Sequence, residues 1–142
     1  MLVRGLLFLS MALYVACLPM DAICLSSCSD WPGYGALIVG ALDVVGVSLS
    51  NLIWLANPAL FVSWILIWRR RRARLAQVLA GIALVLAVSF MLAETIVAST
   101  SGMPSKITGL AIGYWFWLVS IAAACGAAAM QTIVPEASTA KG

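Results

Sequence analysis

The stretch "WILIWRRRRARLAQVLAG", residues 64–81, sets a cluster of arginines between two apolar runs, each long enough to become a membrane helix. That pattern constrains the chain more than anything else in it. Hydrocarbon offers no partner for backbone N–H and C=O groups, so a crossing segment must be a helix of about 20 largely apolar residues. Residues are 64% hydrophobic and 9% charged, with a mean hydropathy of +1.10. A soluble domain carries about 25% charged residues. The sequence predicts an all-α integral membrane protein, a four-transmembrane-helix bundle with spans over about residues 2–20, 51–68, 75–98 and 107–133. Together they form a single transmembrane helical domain over 1–134, and the small polar tail 135–142 reads as disordered.

One run is too long for one crossing. Residues 35–68 would make about 51 Å of helix, against a hydrocarbon core of about 30 Å. Pro58 lacks an N–H and disfavours helical geometry at Asn57, and Ser48, Ser50 and Asn51 add a polar break. The run therefore divides into an additional interfacial or re-entrant helical segment, about 35–49, and a crossing over 51–68. Two crossings, five in all, are disfavoured by Gly35, Gly40 and Gly46 and by Asp43, whose charge is expensive at membrane depth.

The arginines set direction. Basic residues near span ends accumulate on the cytoplasmic side, so Arg69, Arg70, Arg71, Arg72 and Arg74 place their loop there. Counting spans both ways puts the N-terminus with Arg4 and the C-terminus with Lys141 on the same side. Residues 20–33, with Asp21 and Asp30 and no basic residue, fall outside; Lys106 is the exception. The same arginines are candidate contacts for anionic lipid headgroups. Nucleic acid is not expected as a partner, since a short loop between two helices has no groove-reading element. Residues 1–16 also fit a cleaved signal peptide, with Cys17 as a lipoprotein cysteine, but Tyr14 stands where such a signal usually has leucine, and retention as the first span is expected.

Cys24 and Cys28, in "CLSSC", are a candidate disulfide in the outside segment. Four-helix disulfide-generating enzymes of bacterial membranes, and relatives of vitamin K epoxide reductase, carry a Cys-x-x-Cys pair plus a second cysteine pair. Here the spacing is Cys-x-x-x-Cys, there is no second outside pair, and the likeness stops at helix count. With no histidine and scattered carboxylates, neither a metal site nor a cofactor is expected. Asp43 and Glu94 are the candidate intramembrane polar sites, because an ionisable group at membrane depth is a functional hypothesis by default. Small multidrug-resistance transporters also have four helices and one membrane glutamate, but theirs lies in the first helix, which has no acidic residue here.

Span four is the most patterned segment. Gly109 and Gly113, then Ala124 and Ala128, are spaced by about one helical turn and predict a helix-packing face, since small residues let backbones approach closely. Leu84 and Val88 are expected to face lipid. The function expected from these features is non-enzymatic: an accessory, assembly or immunity-like subunit of a bacterial inner membrane, packing against another membrane protein or a second copy. A minimal oligomeric transporter or channel using Glu94 and Asp43 is the alternative, and a thiol-disulfide redox protein using Cys24 and Cys28 a distant third.

Overall fold

The computed structural model describes residues 1–24, 32–42, 49–92, 95–97 and 104–133. It is mostly helical. The helices are α1 (Leu2–Cys17), α2 (Gly33–Leu42), α3 (Leu49–Trp54), α4 (Ala56–Trp68), α5 (Ala73–Ser89) and α6 (Ile112–Ile133). Short strands join them, β1 (Ile23–Cys24), β2 (Thr95–Val97), β3 (Pro104–Lys106) and β4 (Gly109–Leu110). Among the described residues, Ala73–Leu92 and Ile112–Ile133 are long and apolar enough to cross a membrane by length and composition, whereas Leu2–Cys17 and Leu52–Trp68 are apolar but shorter.

The helices turn small and polar residues inward. On α5 the buried positions are Ala76, Ala80, Ala83 and Ala87, an alternation of four and three residues that keeps one face against its neighbours. With only methyl groups on that face, the α5 backbone comes close to α4 and α6. On α1 the same spacing buries Leu7, Ser10, Tyr14 and Cys17, chiefly against α6. Helix α6 touches α1, α4 and α5 and is the centre of the bundle. Two apolar clusters stack along it, one around Tyr14, Leu60, Ala83, Ala87, Ile121 and Ala124, the other around Leu7, Ile67, Ala76, Ala127 and Ala128.

The arginine turn has unusual backbone. At the end of α4, Arg71 N–H donates to Leu66 C=O and Arg70 N–H to Ile67 C=O, with Arg70 at φ 50°. This is a Schellman close, in which the left-handed position is ordinarily glycine. Arg72 follows at φ 52° and starts α5. Left-handed geometry costs an L-residue roughly 1–2 kcal/mol, so the turn keeps its charges against a backbone penalty.

Several element boundaries depart from the sequence reading, and strands occur where only helices were expected. The third helix does not run to residue 98; it closes at Ser89 with a 3₁₀ turn over Phe90–Leu92. The β-branched Thr95–Val97 instead pairs antiparallel with Pro104–Lys106. The last helix starts at Ile112, not at residue 107, because Gly109–Leu110 pairs with Ile23–Cys24. A turn at Leu55 separates α3 from α4, so the helix ending at Trp68 begins at Ala56 and not at residue 51. Leu84 is partly buried against the core, whereas Val88 is exposed as expected.

Candidate functional site

Pro58 creates the first element of the site. Without an N–H it cannot donate to the carbonyl four residues back, that of Trp54. The Asn57 side chain supplies the missing donor, its Nδ2 lying 3.2 Å from Trp54 O. Its other end, Oδ1, accepts from Tyr14 Oη at 3.1 Å and from Trp117 Nε1 at 3.0 Å. One buried amide thus ties α1, α4 and α6 together and repairs the break before α4. Asn57 is 7% exposed and Tyr14 6%, so water cannot readily substitute for these partners.

Aromatic rings enclose the hub. Tyr14 meets Phe61 and Trp64 edge to face, at 5.2 and 5.4 Å between centroids, and Trp117 packs near Tyr114 at 6.0 Å. A second polar tie lies beside it: Ser10 Oγ donates to Ser120 O at 2.7 Å while accepting from Trp64 Nε1 at 2.9 Å. Tyr114 donates to Ala87 O at 2.9 Å and joins α6 to α5. Ser120 Oγ is buried and has no partner among the described residues. Every group in these ties is neutral, and the arrangement fixes helix positions and registers.

The residues singled out in the sequence lie elsewhere. Arg69, Arg70, Arg71 and Arg72 occupy the turn between α4 and α5 and Arg74 the first turn of α5, at the end of the bundle reached by the start of α1 and the end of α6. Asp21 lies at the opposite end, beside β1 and the start of α6. There Cys24 is disulfide-bonded, whereas Cys17 and Cys125 are free thiols. Cys28, Asp43 and Glu94 fall outside the described residues, as does the tail 135–142. Among the described residues no three His, Cys, Asp or Glu side chains gather where they could hold a metal ion.

The expected packing face needs correction. Gly109 is in β4, opposite Cys24, and not on a helix, so it does not share a helical face with Gly113. Gly113 is buried for another reason: a Cβ there would lie 2.7 Å from Asp21 O and 3.0 Å from Met20 O. Its own N–H donates to Asp21 O at 2.9 Å, satisfying one of the unpaired donors at the start of α6. Ala124 and Ala128 are fully buried, and their neighbours belong to α1, α4 and α5 of the same chain.

Asn57, Tyr14, Trp117, Ser10 and Trp64 are not among the site residues expected from the sequence, although it carried a signal. Four polar residues inside apolar runs, Ser10, Asn57, Ser63 and Ser120, are buried here, whereas Gln77 is exposed and Ser89 half-buried. The expected intramembrane sites are ionisable, whereas the groups that carry the ties are neutral. Compared with family models, curated proteins and solved structures, the chain matches none.

Proposed function

We propose that this chain is a small integral protein of a bacterial inner membrane, with four spans and both termini cytoplasmic, acting as a non-enzymatic accessory, assembly or immunity-like subunit that packs against a membrane partner. One observation carries the membrane part, the apolar outer faces of helices that also bury several polar side chains. Ser10, Asn57, Ser63 and Ser120 are buried, while Phe8, Val62, Ile65, Val78, Ile82, Val85 and Val119 are exposed. Such a surface is costly in water and suited to lipid. Helix α1 is part of this core, which supports its retention as a span. Because the small-residue seams are used within the chain, a partner would meet the outward apolar belt.

Two measurements test this. Reporter fusions after Arg74 and after Ala140 should read cytoplasmic, and one near Ser29 external; a cytoplasmic reading at both Ser29 and Arg74 would sink the four-span topology. Mild detergent extraction should recover a foreign membrane protein in fixed ratio with the chain. A homo-oligomer with proton-dependent flux would support the other reading, a minimal transporter or channel using Glu94 and Asp43. That second reading is favoured by one feature, the neutral polar side chains in the bundle interior, including the unpartnered Ser120 Oγ.

A further inference from the structure

At the arginine end, an open cleft of about 720 Å³ lies between the start of α5 and the end of α6, lined by Arg72, Ala73, Arg74, Leu75, Gln131 and Thr132. We propose that this cleft holds the phosphate of an anionic glycerophospholipid; the proposal rests on the membrane reading above.

The phosphate and the acyl chains each have a matching feature at the cleft. Two guanidinium groups in the lining, those of Arg72 and Arg74, offer the planar paired donors that suit a phosphodiester. Helix α5 begins there without a side-chain cap, so its first N–H groups and dipole add to the attraction for an anion. From the cleft, exposed Leu75, Val78, Ile82 and Val85 follow one face of α5 at spacings of three and four residues, a track for acyl chains. Arg72 is held at positive φ, strain of the kind that collects at ligand sites. The described carboxylate, Asp21, lies at the far end of the bundle.

The test uses the full chain, extracted in detergent and exchanged into bilayer discs of mixed phosphatidylcholine and phosphatidylglycerol, with co-purifying lipid quantified. Phosphatidylglycerol should be retained selectively, and excess inorganic phosphate should not displace it. The Arg72→Gln, Arg74→Gln variant should weaken retention by well over thirtyfold, since two basic residues lose both their attraction to the leaflet surface and their charge-assisted hydrogen bonds to the phosphate. The equal-charge variant Arg69→Gln, Arg71→Gln removes only the surface attraction and should weaken it by no more than about thirtyfold. Equal weakening by the two arginine pairs would reduce the effect to diffuse surface charge and overturn the site, as would displacement by inorganic phosphate or no selective retention. Thermal unfolding of each variant checks that the fold is kept. Recovery of the chain in the aqueous fraction without detergent is a separate outcome, which would sink the membrane reading itself.

Discussion

Replacing Asn57 by leucine should be among the most damaging single changes in the bundle. The substitution keeps the side chain's approximate size and removes hydrogen bonds at 3.2, 3.1 and 3.0 Å to Trp54 O, Tyr14 Oη and Trp117 Nε1. Hydrogen bonds between membrane helices average about 0.6 kcal/mol each and reach about 1.7 kcal/mol. Three of them place the expected loss at about 2–5 kcal/mol, the upper part applying because Tyr14 and Trp117 keep buried donors with nothing to accept them. Tyr14→Phe alone should cost about 0.6–1.7 kcal/mol. In the Asn57→Leu background the same change should cost almost nothing, since it then removes an orphaned hydroxyl. Val85→Ala is the control, at a position 66% exposed. Reversible unfolding by SDS in mixed micelles, followed by tryptophan emission, measures all four variants against the parent. An Asn57→Leu variant within about 0.5 kcal/mol of the parent, or strict additivity with Tyr14→Phe, would refute the hub.

Gly113→Ala should lower stability by about 1–3 kcal/mol, because the new Cβ meets the carbonyl oxygens of Met20 and Asp21 and neither can move as a side chain end would. Gly81→Ala, with nothing within 4 Å of the new Cβ, should instead stabilise by about 0.5–1 kcal/mol; equal thermal shifts for the two would show that α6 does not depend on this close approach. Arg72→Gly in lipid-free detergent should raise stability by about 1 kcal/mol through relief of the left-handed backbone, while phosphatidylglycerol retention falls, and a loss of stability would remove the strain from the account. The Cys24→Ser, Cys28→Ser variant should insert and assemble nearly normally, since a short loop contributes less than the roughly 3 kcal/mol of a 15-residue one; trapping a mixed disulfide between Cys24 and a periplasmic thiol protein would contradict this non-catalytic role.

What the amino-acid sequence determined by itself is what depends on composition and on near neighbours. Apolar runs decided that helices form and are suited to lipid, because each residue's transfer free energy adds along its own segment. The cluster at 69–74 decided where two helices part, and Pro58 marked the break beside Asn57. Which residues meet was decided by tertiary structure alone. Asn57 finds its partners 43 and 60 positions away, and no local pattern distinguishes those two aromatics from the others in their runs. Gly109 looked helical by its one-turn spacing from Gly113, yet a strand from the other end of the chain pairs with it. The alanines of α5 show why small residues resist assignment from sequence: a methyl group fits a lipid-facing or a buried position equally well, and only the approach of α4 and α6 turns Ala76, Ala80, Ala83 and Ala87 into a seam. Solvent preference is a property of single residues summed along the chain, whereas packing is a property of pairs, and the pairs exist only once the helices have met.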